Sequence, residues 1–300
     1  MDSTTLMQNV RQAGIALPAF NIAYLPMTKS IIQAVVDENS LALLEVSRID
    51  WEKLGAQSLE ATAEEFKRWA NLDHVRLHLD HVPVLDEDGK RVDYLPIIER
   101  AIKCGYQSVM IDASRTSLQE NIRVTRQVTE IAHGANVPCE AELGAVLGHE
   151  AGPLPPYEEL FRTGKGFTKP EDAEIFVRES GCDWLSVAIG NVHGAVAEGQ
   201  RDKKKIEARL NLEHLAKLAE ITGVPLVLHG GSGIREEHVR QSFAHGISKI
   251  NVGTEIRHTF ETALTETNSE EKAQDALYQR TRSLIRETYR LSNSKKTLGL

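Results

Sequence analysis

Short apolar runs alternate with longer stretches of helical period along the chain. The runs Leu17–Ile22, Leu41–Val46, Val75–Leu79, Ser108–Ile111, Val137–Ala141, Trp184–Ala188, Leu226–Leu228 and Ile247–Val252 are brief and contain β-branched residues, which favours buried strands over helices. Between them, Pro26–Asn39 carries Ile31, Ile32, Val35 and Val36 on one side, and Ser117–Ala132 carries Leu118, Ile122, Val128 and Ile131. Leu212–Ile221 and Glu236–Ala244 follow the same rule, with charged residues on the opposite face. Eight strands, each followed by a helix, predict a parallel sheet, because parallel neighbours need a crossover between them. An open doubly wound sheet is the rival architecture, but no GxGxxG follows the first strand. The expected fold class is α/β, a closed (β/α)8 TIM barrel, for which about 250 residues is typical.

Two stretches interrupt the alternation. Pro83–Val92 is rich in Asp, Glu and Lys, with Asp88-Gly89 as its expected tip. Gly148–Thr168 is dense in proline and glycine and too long for an ordinary connection, the pattern of an active-site lid or of a segment without fixed structure. The tail, Ser269–Leu300, reads as one charged helix with a polar, Lys-containing end. With no internal repeat, residues 1–300 read as one barrel domain with long active-site loops and a tail helix at about 269–300.

Composition narrows the class of activity. Apolar residues make up 41% and charged residues 26%, an ordinary globular mixture. The net charge of −8 gives no general attraction to nucleic acid or anionic lipid. A small anionic substrate would therefore need a local binding site. Cys104, Cys139 and Cys182 are far apart with no CxxC spacing, which suits thiols of a reducing compartment. The first ten residues carry an acid and no long apolar run, unlike a signal peptide. No stretch reaches the roughly 20 apolar residues of a membrane helix. A cytoplasmic location is the expectation.

A closed barrel builds its active site at the C-terminal ends of its strands. Strand three ends in Asp80-His81, strand four in Asp112 and strand five in Glu142; strand six leads into His193-Gly194. Strand seven ends in His229-Gly-Gly-Ser-Gly233 and strand eight in Asn251-Val-Gly-Thr254. Three of the eleven histidines, His81, His193 and His229, thus fall on one rim. Three imidazoles with an open position are the ligand set of a catalytic zinc site, where the ion polarises a substrate carbonyl. Asp80 stands next to His81, so the two side chains are expected to leave the strand in different directions, one towards metal and one towards substrate. That suits proton transfer to or from a hydroxyl; the alternative is a carboxylate that only orients an imidazole. Asp112 and Glu142 either form a second, oxygen-rich cation position or orient the histidines. His78 shares the inward parity of Asp80. Glycine turns before two helices, at Gly230-Gly231-Ser232 and at Asn251-Val252-Gly253-Thr254, offer backbone N–H groups to an anion.

These segments together resemble the class II (zinc-dependent) ketose-bisphosphate aldolases, of the fructose-/tagatose-bisphosphate type. The resemblance runs from Leu17-Pro-Ala-Phe-Asn-Ile22 to about Arg257. It rests on Leu77-His-Leu-Asp-His81, Val109-Met-Ile-Asp-Ala-Ser114, Glu140-Ala-Glu-Leu-Gly144, Val187-Ala-Ile-Gly-Asn-Val-His-Gly194, Leu226-Val-Leu-His-Gly-Gly-Ser-Gly-Ile234 and Lys249-Ile-Asn-Val-Gly-Thr-Glu255. It implies that Asp80 is the proton donor and that His81, His193 and His229 hold the catalytic Zn2+. It places Asp112 and Glu142 at a second, buried metal position. Gly194, Gly230, Gly231, Ser232, Asn251, Val252, Gly253 and Thr254 would bind the phosphate of dihydroxyacetone phosphate, with a monovalent cation (Na+ or K+) assisting. Glu150 matches a loop carboxylate that moves the proton at the nucleophilic carbon. The family forms homodimers or homotetramers, so the same is expected here.

Four departures fall on the aldehyde side. After Glu142-Leu-Gly144 the chain reads Ala-Val-Leu-Gly-His-Glu150-Ala where the family has x-x-Gly-Gly-x-Glu-Asp, and the loop is longer. Pro83–Val92 is inserted after His81, and Val46-Ser-Arg-Ile-Asp-Trp51, which holds Ser47 as a candidate distal-substrate residue, replaces a segment of small residues near the aldehyde end. Arg282 and Arg286 compete for the role of a distal-phosphate arginine. The resemblance implies reversible aldol cleavage of a phosphorylated ketose, fructose or tagatose 1,6-bisphosphate being the reference substrates. The alternatives are another ketose 1-phosphate, a non-catalytic sugar-phosphate-binding relative, or a metal-free Schiff-base aldolase with Lys249 as its lysine.

Overall fold

The computed structural model describes residues 1–144, 157–191, 208–231 and 233–300. Among these, eight parallel strands close in sequence order: β1 (Leu17–Asn21), β2 (Ala42–Val46), β3 (Val75–Pro83), β4 (Ser108–Asp112), β5 (Cys139–Leu143), β6 (Trp184–Val187), β7 (Leu226–Leu228) and β8 (Ile247–Val252). β8 returns to β1 with Leu17 opposite Lys249 and Ala19 opposite Asn251, which closes the ring. The expected (β/α)8 barrel is the observed fold. Strand residues of one parity, such as Leu44, Leu77, Val109 and Ala141, are buried in the large cluster that also holds Ile31, Phe66, Ile98 and Val128 from the helices. Residues of the other parity point into the barrel, among them Leu17, Leu43, Trp184 and Val227.

The helices form where an amphipathic stripe follows a polar cap. α2 (Met27–Asp37), α4 (Leu59–Trp69), α5 (Tyr94–Cys104), α6 (Leu118–Gly134), α8 (Pro170–Ser180), α9 (Leu212–Thr222) and α10 (Glu236–Ala244) occupy the outer ring. Ser58 accepts from Ala61 N–H at 3.1 Å, Ser117 from Glu120 N–H at 3.3 Å and Asn211 from His214 N–H at 3.0 Å, each satisfying a first-turn amide. Helix α1 (Ser3–Gln12), which the pattern of strands did not announce, covers the N-terminal mouth of the barrel with Leu6, Met7 and Val10.

Three expectations are corrected. β3 runs on to Pro83 instead of ending at Leu79, while the insertion turns at Asp88-Gly89 as expected, a small hairpin closed by a Leu85–Arg91 bridge with Gly89 at φ +76°. Part of the expected lid is helical, α7 (Tyr157–Thr163); its residues 148–156 lie outside the described residues. The tail is broken as well. After α11 (Thr254–Thr267) come α12 (Glu270–Ser283), a π-helical turn (Leu284–Thr288) and the short α13 (Ser294–Thr297). Left-handed residues Asn268, Arg290 and Asn293 separate these pieces. The chain bends so that Ser294 Oγ can accept from Leu41 N–H at 3.0 Å and Leu298 can join the apolar cluster at the barrel's N-terminal end. No helix among the described residues is long and apolar enough to cross a membrane.

Candidate active site

A bulge in β3 makes the centre of the site. Leu79 pairs with Val109 and Val82 with Ile111, so Asp80 and His81 together face the single residue Met110. An extra residue in one strand bends it and re-aims its side chains. His81 adopts φ +34°, a conformation that costs on the order of 1–3 kcal/mol. The expected divergence of the two side chains is therefore replaced by convergence. Ligand atoms of Asp80, His81 and His229 all lie within 4.8 Å of one another, and a second group of His81, Asp112 and Glu142 meets the same limit. The His81 and His229 rings sit 4.4 Å apart between centroids, at 64°.

Carboxylates hold these rings. His81 Nδ1 is 3.3 Å from Asp112 Oδ2, and Asp112 Oδ1 accepts from Ser114 N–H at 3.0 Å and Ser114 Oγ–H at 2.6 Å. His229 lies between Glu140, 2.9 Å from Nε2, and Glu142, 3.1 Å from Nδ1. Asn191 anchors the same strand end by donating to His229 O at 2.9 Å. Burial pushes Asp112 upward, but its bonds to His81 and Ser114 outweigh that and hold the carboxyl well below its usual range. Burial likewise opposes ionisation of Asp80, and the charges of His81, Lys249 and His229 override it.

Beneath the rim lies a cluster of charges. Lys249 is fully buried, with Nζ 2.9 Å from Glu140 Oε2, 3.2 Å from Glu45 Oε2 and 3.7 Å from Asp80 Oδ1. His78, also fully buried, lies 3.4 Å from Glu140 and 3.9 Å from Asp80, with its Nδ1 2.8 Å from Ser108 Oγ. Desolvation, reinforced by the Lys249 charge, pushes His78 down to about 3, so this imidazole is neutral. Asn251 Nδ2 donates to Asp80 Oδ1 at 3.0 Å, fixing one edge of that carboxylate.

Near the phosphate segments, Gly230 has φ +69°, and a Cβ on Gly253 would stand 2.9 Å from Asn21 Oδ1, so that amide would have to move aside. Gly231 lies between β7 and α10, Val252 ends β8 and Thr254 begins α11. Ser47 starts α3 (Arg48–Glu52) beside the end of β2. The arginines are elsewhere. Arg282 and Arg286 bind Glu38, at 2.8 and 2.6 Å, near the N-terminal end of β2. Within this chain they therefore belong to the opposite mouth of the barrel, tied to a buried carboxylate, and do not reach the rim. Glu150, His193, Gly194 and Ser232 lie outside the described residues.

Residues 1–296 match the family Fructose-bisphosphate aldolase class-II. The chain belongs to the class II fructose-bisphosphate aldolases. Among relatives, it is 33% identical over 269 residues to the probable fructose-bisphosphate aldolase of Bacillus subtilis, covering 88% of this chain and 85% of that one. It is 34% identical over 253 residues to the fructose-bisphosphate aldolase of Geobacillus stearothermophilus, covering 84% and 79%. The crystal structure of the YdjI aldolase from Escherichia coli K12 superposes with a TM-score of 0.78 at 26% identity, over 98% of each chain. As a family member the protein is an aldehyde-lyase, a class of enzyme that makes and breaks carbon–carbon bonds.

The class II family is metal-dependent, and the donors present suit a divalent ion. Two imidazoles and buried carboxylates converge, and Glu140 holds the far nitrogen of His229, the outer support that metal-bound histidines usually have. The Schiff-base alternative does not fit: three carboxylates around Lys249 overcome its desolvation and keep the amine protonated, whereas imine formation needs it neutral. Sequence reasoning missed Glu45 and Glu140 and named Lys249 only as the lysine of the Schiff-base alternative, whose rival reading was a salt-bridged lysine. The signal was available, since Glu140 and Lys249 lie two residues before Glu142 and Asn251 on the inward-facing parity.

Proposed function

We propose that the protein cleaves and re-forms a ketose phosphate through dihydroxyacetone phosphate and an aldehyde, with zinc as the bound ion. The observation that carries this reading is the meeting of Asp80, His81, Asp112, Glu142 and His229 at the C-terminal rim of a closed barrel. His81 and His229 would hold the ion together with His193, the third imidazole of the sequence pattern; Asp112 and Glu142 orient the rings or offer a second position for it. When bound, the ion polarises the ketone carbonyl and stabilises negative charge developing on the ketone half.

The chain's own groups supply the rest. Asp80 has Oδ1 tied to Asn251, which leaves Oδ2 for the substrate. In cleavage it takes the proton of the hydroxyl on the carbon that becomes the aldehyde, and in synthesis it returns it. Glu150 is assigned the proton at the nucleophilic carbon of the ketone. The glycine-rich segments Gly230–Gly233 and Asn251–Thr254 lead into α10 and α11 and would offer backbone N–H groups where a phosphate is favoured. The test is cleavage of fructose and tagatose 1,6-bisphosphates before and after treatment with a chelator. Activity should vanish and return with zinc; full turnover by metal-free protein would sink the reading.

A further inference from the structure

The arc of rim between β1 and β2 is the part that the ion and phosphate segments leave over. It adjoins Asp80, because Val46 pairs with Leu79 and Ser47 continues that register. Here Asp50, only 6% exposed, turns back from α3 towards the strand ends. Its Oδ2 accepts from Ser47 N–H at 2.7 Å, from Ser47 Oγ–H at 2.8 Å and, more loosely, from Asn21 Nδ2 at 3.5 Å. Asn21 thereby turns its carbonyl oxygen towards Gly253, at the end of the neighbouring β8 and away from Ser47.

An ionised carboxylate only accepts hydrogen bonds, so the shared protons belong to Ser47 and Asn21. Burial pushes Asp50 up to about 6 against the pull of the Ser47 bonds, which leaves it ionised at neutral pH. Ser47 is half-buried at the rim and is the N-cap of α3 in a capping box with Asp50; with its proton committed, what its hydroxyl can still offer a ligand is an acceptor lone pair. Asn21 likewise presents an acceptor. Arg48, the nearest cation in sequence, is bound to Glu52 at 2.7 Å. This arc therefore carries acceptors and negative charge, and its donors point inward.

We propose that Asp50 is a positioning residue for substrate choice: by drawing the Ser47 hydroxyl and the Asn21 amide to itself, it makes this arc a receptor for hydroxyl groups of the aldehyde half. The substrate class is an aldehyde with a hydroxyl, and no anionic group, on the carbon next to the reacting one. A phosphate or carboxylate at that carbon meets acceptors and two carboxylates, Asp50 and Asp80. A hydroxyl meets the acceptor Ser47 Oγ. This rests on the aldolase reading above.

The experiment is condensation of dihydroxyacetone phosphate by the zinc-loaded enzyme with glyceraldehyde or with propionaldehyde, which lacks the hydroxyls. Alongside it, exchange of the ketone C–H with solvent is followed without aldehyde. Asp50→Ala should raise the KM for glyceraldehyde about tenfold, the effect of one lost hydrogen bond. The KM for propionaldehyde and the exchange rate should stay within twofold. Asp50→Asn keeps a carbonyl oxygen for the Ser47 hydroxyl and should remain within threefold of the parent for both aldehydes. If Asp50→Ala does not fold, Ser47→Ala removes the same oriented hydroxyl and should show the same selectivity. Equal changes for the two aldehydes, or none, in a protein that still exchanges the ketone proton would overturn the role of Asp50. Loss of exchange in the parent enzyme would instead overturn the aldolase reading itself.

Discussion

The two ends of the barrel interior are built from the same inward-facing strand positions and could hardly be less alike. At the N-terminal end Leu17, Leu43, Trp184 and Val227 meet Leu6, Met7 and Val10 of α1 in a dry apolar plug. Two residues further along the same strands, Leu43 gives way to Glu45, Trp184 to Ser186 and Val227 to His229. There the interior is a buried network of Lys249, Glu140, Glu45, His78 and Asp80. Apolar burial stabilises the lower end at roughly 25 cal/mol per Å2 of apolar surface. The upper end gains nothing comparable, since desolvating paired charges often offsets their attraction. Stability is concentrated at one end, while the strain at His81 and the buried charges are concentrated at the other.

Substitutions at the two ends should therefore separate stability from metal binding. The largest effect is expected from His229→Ala, which should lose the bound ion by elemental analysis and about 10³-fold or more in kcat/KM, consistent with several kcal/mol of charge stabilisation. Next comes Lys249→Met. It leaves Glu140 and Asp80 buried without their counter-charge, a loss of about 3–5 kcal/mol by denaturant unfolding. It should also weaken metal binding, because Glu140 supports His229; adding Glu45→Gln should recover part of the stability. Trp184→Ala should lose a similar ~3–5 kcal/mol by leaving a cavity, with metal affinity of the folded protein within twofold. Should Trp184→Ala weaken metal binding as much as Lys249→Met, the two ends are not separable in this way. The smallest effect is Glu140→Gln, expected to lower metal affinity by about 10–100-fold in competition with a chelator, with the fold intact.

The strand order and the rim chemistry were legible because both depend on short-range rules. Period two marks the strands, and a closed barrel collects whatever follows each strand at one face, so Asp80, His81, Asp112, Glu142 and His229 could be grouped from spacing alone. The bulge at Asp80–His81 was not legible, because it depends on how two strands share hydrogen bonds. The grip of Asp50 on Ser47 is a capping box that the Ser-x-x-Asp spacing could have shown; what sequence could not show is that Asn21, from another strand, reaches the same carboxylate. Arg282 and Arg286 were misplaced for a related reason: they carry a suitable charge, yet Glu38, far back in the chain, is what captures them.

Local sequence determined which segments become strands and helices, where the caps fall, and which residue types arrive at the catalytic rim, since these follow from backbone periodicity and nearest-neighbour chemistry. Tertiary structure alone decided how the charges are paired inside the barrel, that His81 bends inward, and that the tail folds back against the apolar cluster at the far mouth. Those outcomes depend on which groups lose their water together. That is a property of closure, and no window of sequence contains it.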